Sequence, residues 1–268
     1  MEKVRGSFPW AAAATAVLVL AGCPGGLGNL PPEEDGWPWS YPDGGEVVSQ
    51  GTTSEACAAS ADGDTIALYT FDADQDGTVT DAAGELDGKI AGSGVSHVDG
   101  RSGCGKAVAF SGKGHVVIPS TSALESLKVG AVDFWLRVEG NGQQGVLSRD
   151  AQHTKNPGHF SIMITSEGSV RVRLQSTSSD FEVRSQKIQD GGWHHVGVCF
   201  GNELELYIDG TLTDSTSTSI GIAGNTNPLV LGGLSWTSPE GAAEPVEYPL
   251  HGALDSVRVS SVRRDFSW

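Results

Sequence analysis

Asp72-Ala73-Asp74-Gln75-Asp76-Gly77-Thr78-Val79 sets oxygen-bearing side chains at alternate positions ahead of a glycine, the opening of a calcium-binding loop. A hard divalent cation takes oxygen ligands, and this spacing offers three carboxylates, Asp72, Asp74 and Asp76. The twelfth loop position, where a bidentate carboxylate closes the shell, is Ala83; Asp81 or Glu85 would have to replace it with different geometry. No helices flank the segment, so it is not an EF-hand. Glu203 and Glu205 share one face of a strand, and paired carboxylates are the requirement for glycoside hydrolysis. Leu204 and Leu206 alternate toward a core, however, which turns both Glu outward or onto a groove. No G-x-S-x-G elbow offers a serine nucleophile. His194 and His195 are adjacent and face opposite sides of a strand, and His153 and His159 flank a turn at Asn156-Pro157, so no zinc site is expected. Ligand recognition is expected on loops. The candidates are Arg149 and His153 in the polar stretch Arg149 to His159, and Trp236, whose ring either stacks on a sugar or lids the domain end.

These residues hang on short strands. Val196, Val198 and Phe200 alternate on one face, as do Leu204, Leu206 and Ile208 after a turn at Gly201-Asn202, predicting a hairpin that ends in an Asp209-Gly210 turn. Further strands are expected at Ile66 to Phe71, Ala107 to Phe110, Val116 to Ile118, Val132 to Val138, Leu229 to Gly233 and Leu254 to Val259. His159 to Ile164 and Val170 to Leu174 form a second hairpin through Glu167-Gly168. With 37 Gly and no helical period of useful length, the fold class is all-β, a two-sheet sandwich or jelly roll. Trp135 and Trp193 are assigned to sheet packing.

Ahead of this domain the composition changes. Lys3 and Arg5 precede an apolar run from Ala11 to Leu20, about half the ~20 residues that span a bilayer, so it reads as a cleaved signal. Leu20-Ala21-Gly22-Cys23 matches a bacterial lipobox, which predicts acylation of Cys23, membrane contact through the lipid anchor alone, and residence in the cell envelope. Pro24, rather than Asp, after Cys23 points to the outer membrane. The expected division is a signal at 1–22, a Pro/Gly/acidic tether at 23–63 and one domain at 64–268. In the tether, Trp37-Pro38-Trp39-Ser40-Tyr41-Pro42 presents three rings on an extended segment, to meet a sugar or partner or to fold back over the domain edge. An exported chain lies in an oxidising space. Cys57 and Cys104, each in a turn-rich segment beside the opening strand, are paired here as a disulfide, and Cys199 is left as a half-buried thiol. A net charge of −16 with no basic cluster along the chain excludes nucleic acid as a partner.

The hairpin W-H-H-V-x-V-x-F…L-x-L-Y-I-D-G resembles the signature of laminin-G-like jelly rolls in the concanavalin A-like lectin/glucanase group. Three more elements carry the resemblance in order: Gly100 to Gly112 (with Ser111 where Asp is usual), Val132 to Val138, and Gly252-Ala253-Leu254-Asp255-Ser256-Val257-Arg258-Val259 (with Ser256 where Glu is usual). It implies a binding or adhesion module. The glucanases of the group carry E-x-D-x-E, which Glu203-Leu204-Glu205-Leu206-Tyr207 lacks, so no enzyme activity is expected. The resemblance also implies a structural calcium held by Asp255 with backbone carbonyls near the first strand, joined by Asp72; the alternative is that Asp255 only bonds a neighbouring loop. The expected function is noncatalytic binding of a carbohydrate or glycoprotein at the envelope. The alternative is protein docking within an envelope assembly; glycoside hydrolysis ranks last.

Overall fold

The computed structural model describes residues 57, 59–150, 157–235 and 246–267. Cys23, Trp37, Trp39, Tyr41, His153 and Trp236 therefore lie outside the described residues. The strands are β1 (Thr65–Tyr69), β2 (Thr78–Val79), β3 (Gly88–Ala91), β4 (Val95–Asp99), β5 (Lys106–Ser111) and β6 (His115–Ile118), then, after a single helical turn α1 (Ser122–Glu125), β7 (Gly130–Val138) and β8 (Gln144–Arg149). They continue as β9 (His159–Ile164), β10 (Ser169–Gln175), β11 (Asp180–Lys187), β12 (Trp193–Phe200), β13 (Glu203–Ile208), β14 (Thr211–Ser217), β15 (Leu229–Leu231) and β16 (His251–Ser260).

Two antiparallel sheets result. The first runs β14-β13-β12-β7-β16-β5-β4 with β1 also on β16, and the second runs β11-β10-β9-β8-β15-β6-β3-β2. Alternation decides which side chains fill the space between them. Phe134, Leu136, Val196, Val198, Phe200, Leu204 and Leu206 enter from the first sheet, and Phe160, Ile162, Ile164, Val170, Val172 and Leu174 from the second, all essentially inaccessible. Phe160 and Phe200 meet across the layers with ring centroids 5.8 Å apart. The β12–β13 hairpin has the expected register, Val196 opposite Ile208 and Val198 opposite Leu206. Asp209 and Gly210 both take positive φ, 48° and 79°, the requirement of a type I′ turn.

One irregularity matters for the site. β16 pairs with β5 from His251 to Leu254, then with β1 from Val257 to Ser260. Between these stretches Asp255 and Ser256 form a bulge, with Ser256 at φ 52°. The hand-over brings the end of β1, the start of β5 and Asp255 to one place.

Candidate functional site

Pairing across the second sheet aligns one row of outward side chains: Glu182, Arg173, Ser161, Ser148, Val230, Val117 and Lys89. Arg184, Arg171 and Met163 form a parallel row, and Asp180, Gln175 and His159 another. Over the middle, the chain leaving β15 is fastened down. Ser148 Oγ donates to the Gly233 carbonyl at 3.1 Å, the Ser235 amide donates to Ser148 Oγ at 3.0 Å, and Leu234 bridges Glu247. Among the described residues the two ends stay open. At one, Arg173 reaches Asp180 at 3.4 Å and Arg184 reaches Glu182 at 2.6 Å, while Arg171 Nε has no hydrogen-bond acceptor and lies 3.8 Å from Glu182. At the other, Asp87, Lys89, Ala91, Val117, Pro119 and Pro228 line a cleft of about 540 Å³. The sequence shows no run of basic residues here; antiparallel pairing alone sets Arg171 opposite Arg184.

A second arrangement lies at the β16 bulge. Asp255 is 3% exposed, accepts from Ser256 Oγ at 3.0 Å, and has only a long 3.4 Å contact from the Arg101 amide at Oδ2. Burial, then repulsion from Asp72, raises its pKa. Asp72 accepts from the Lys106 amide at 2.7 Å. The loop between them is held by Gly100 N–H to Gly105 O (3.0 Å) and Cys104 N–H to Arg101 O (2.7 Å). A Cβ on Gly100 would lie 2.9 Å from Asp255 Oδ2 and 3.2 Å from the Gly105 carbonyl oxygen, and would collide with the Cys104 carbonyl; one on Gly105 would collide with the Asp72 carboxylate. Two mutually repelling carboxylates beside two carbonyls, with glycine required for the approach, fit a hard cation. Asp74 accepts from the Thr80 amide at 2.8 Å and meets His97 Nε2 at 2.8 Å, and Asp76 takes the φ of 49° needed for the turn before Gly77. Among the described residues no three His, Cys, Asp or Glu side chains converge as a metal cluster.

Residues 110–265, more than half of the sequence, match a laminin-G family described as the Concanavalin A-like lectin/glucanases superfamily. The chain belongs to that family. No curated protein sequence matches it. Among solved structures, domain 4 of AbnA, a GH43 extracellular arabinanase from Geobacillus stearothermophilus, in complex with arabinotriose, superimposes with a TM-score of 0.55 at 21% identity, over 74% of this chain and 92% of that one. The binding domain of botulinum neurotoxin DC, in complex with rat synaptotagmin II, gives 0.55 at 14% identity, over 76% of this chain and 49% of that one. At these identities the likeness shows the fold.

Within this laminin-G-like domain several expected site residues turn out to be structural. Arg149 is not a ligand-binding side chain. It shares the inward face of β8 with Leu147 and is fully buried. Its donors reach the carbonyls of Asn227 (3.1 Å), Leu124 (3.3 Å), Ile222 (2.5 Å) and Asn225 (2.5 Å) and the hydroxyl of Ser120 (3.0 Å), and burial lowers its pKa to about 10. Cys199 is fully rather than half buried, under Phe266, and burial raises its pKa. Glu205 is bound to Arg263 at 2.5 Å and to the Tyr207 hydroxyl at 3.1 Å, on the first sheet. Trp135 packs under Arg101, 3.9 Å from its ring centroid, and Arg137 lies 5.1 Å from the centroid of Trp193. Cys57 and Cys104 are joined, with Cα atoms 4.9 Å apart. The sequence reading missed the Arg171–Arg173–Glu182 patch, although the alternation of Val170, Val172 and Leu174 already put both Arg on the outer face. It also missed the buried pair of His159 Nδ1 and Asp150 Oδ1, 2.5 Å apart at the two stems of the 150–158 loop.

Proposed function

We propose that this protein is a noncatalytic, lipid-anchored envelope protein that recognises a carbohydrate, free or on a glycoprotein, through the outer face of the second sheet. The observation that carries the reading is the open patch of Arg171, Arg173, Asp180, Glu182 and Arg184, in which donors and acceptors hold one another in place on a rigid sheet. Sugar hydroxyls donate and accept at once, and side chains already fixed by neighbours lose little entropy on meeting them. The cleft at Lys89, Val117, Pro119 and Pro228 extends the same face with an apolar surface suited to the C–H side of a sugar ring. Trp236 follows directly on Ser235, which Ser148 anchors in the middle of that face. The exposed large apolar side chains among the described residues, Val129, Leu212, Tyr248 and Val262, sit on separate elements rather than in one patch, which favours a glycan over a docked protein.

The reading also includes acylation of Cys23, outer-membrane anchoring and a structural cation at Asp72 and Asp255. Calcium there would neutralise the repulsion between the two carboxylates and tie the end of β1 to β16. These rest on Leu20 to Cys23 and on the geometry of the bulge respectively. The test of the main reading is a glycan array with the full chain beside Arg171→Ala/Arg173→Ala. Glycan hits that vanish in the double variant are the expected result. Hits that persist in it overturn the assignment of the face, and an array with no hits in calcium-containing buffer overturns carbohydrate recognition. Labelling with a tagged fatty acid in a bacterial host, absent in Cys23→Ser, tests the anchor.

A further inference from the structure

The Cys57–Cys104 disulfide lies at the edge of the cation cradle, and one of its cysteines supplies a cradle oxygen. Cys104 is the residue whose carbonyl crowds Gly100 beside Asp255 Oδ2. Its neighbour Gly105 contributes the second carbonyl and meets Asp72. The loop Arg101 to Gly105 has no apolar side chain to pack; it is shaped by two backbone hydrogen bonds, by the stacking of Arg101 on Trp135, and by the covalent bond to Cys57. An oxygen cage formed by an otherwise loosely packed loop depends on whatever restrains that loop.

We propose that the Cys57–Cys104 bond is the positioning element of the Asp72/Asp255 cation cradle, so that divalent-cation affinity depends on the redox state of this disulfide. The inference rests on the cation reading above. Reduction by a dithiol breaks the Sγ–Sγ bond and gives two thiols at Cys57 and Cys104, while the reductant closes to its own disulfide. The Cys104 and Gly105 carbonyls then lose the covalent restraint and keep only noncovalent ones, the two loop hydrogen bonds and the Arg101–Trp135 stacking among them. Partners that orient metal ligands from behind are typically worth about 10- to 100-fold in affinity, and a loss of about 10-fold or more is expected here.

The experiment titrates calcium alone into the full chain in detergent, reading both the melting temperature and Trp fluorescence, since Trp135 is the strand partner of Asp255. Three proteins are compared: oxidised, dithiol-reduced, and Cys57→Ser/Cys104→Ser, with Asp255→Asn as the reference without a cradle. A calcium midpoint at least about 10-fold higher in both the reduced and the double-serine proteins supports the proposal. Equal midpoints in the oxidised and disulfide-free proteins, with Asp255→Asn silent, overturn the clamp and leave the cradle standing. No calcium response in the oxidised protein overturns both.

Discussion

The outer faces of the two sheets use polar residues in opposite ways. On the first sheet, Arg258 grips Asp133 through two hydrogen bonds of 2.9 and 3.0 Å, and His195 lies 3.5 Å from the same carboxylate. The C-terminal segment then closes over them. Phe266 packs on Gly197, where any Cβ would collide with its ring, and Arg264 ties the segment to Asp62 and Ser260. Asp133, His195 and Cys199 end up 1–6% exposed. On the second sheet, Arg173, Asp180, Glu182 and Arg184 pair as well, yet among the described residues no segment covers them and their side chains are 31–54% exposed. Internal satisfaction with cover makes a structural face; internal satisfaction without cover leaves donors and acceptors available to a ligand.

The largest effect that could break this contrast is Arg258→Ala. It leaves the Asp133 carboxylate buried without its bidentate partner, and a loss of about 3–5 kcal/mol in urea unfolding is expected, with glycan hits unchanged. A variant as stable as the parent would mean that the ion pair does not hold this face shut. Next, Gly197→Val pushes Phe266 off the sheet at a cost of about 1–3 kcal/mol and exposes the Cys199 thiol to a maleimide that leaves it untouched in the parent. Unaltered labelling would show that the C-terminal segment is not the cover.

On the open face, Arg173→Ala should shift stability by no more than about 0.5 kcal/mol while removing glycan hits, because a half-exposed pair contributes little to folding. A large stability loss there would erase the distinction between the faces. The smallest effect sharpens the comparison through pH. Burial alone lowers the His194 pKa, but its contacts with Asp209 (2.7 Å) and Asp190 (3.1 Å) outweigh it, and the net shift is upward from 6.5. A folded-state pKa raised above the unfolded one gives a stabilisation fully present below 6.5 and lost as pH rises through the folded value. The stability gap between parent and His194→Asn should therefore be about 0.2–1 kcal/mol in acid and close toward alkaline pH. A gap that widens with pH would show that the imidazole is held neutral.

Which of these features can be read from the chain alone follows from the range over which each is determined. The hairpin from Trp193 to Ile208 is legible because Val196, Val198, Leu204 and Leu206 alternate and Asp209-Gly210 accepts positive φ. Strands β4, β11 and β14 are not, since edge strands face water on more than one side: Val95 to Asp99 and Thr211 to Ser217 show no apolar period, and Asp180 to Lys187 offers only the pair Phe181 and Val183. Arg149 carried a usable signal, two residues after Leu147 and hence on its inward face, but a cation there looks like loop chemistry until four carbonyls are found around it. The loop from Asp72 to Asp76 shows the opposite case: its spacing is local, while the partners of its carboxylates, Lys106, Thr80 and His97, are set by pairing elsewhere.

By itself, then, the amino-acid sequence determined the all-β class, the sandwich and its family, because side-chain alternation and turn chemistry act over a few residues and need no distant partner. Only the tertiary structure decided which face stays open, that Arg149 is a core tie, and that Asp72 lies near enough to Asp255 to raise its pKa. Those outcomes depend on strand order and register, which bring residues such as Asp72 and Asp255 near each other from the two ends of the domain, and on what lies over each sheet: the C-terminal segment over the first, and the chain leaving β15 over only the middle of the second.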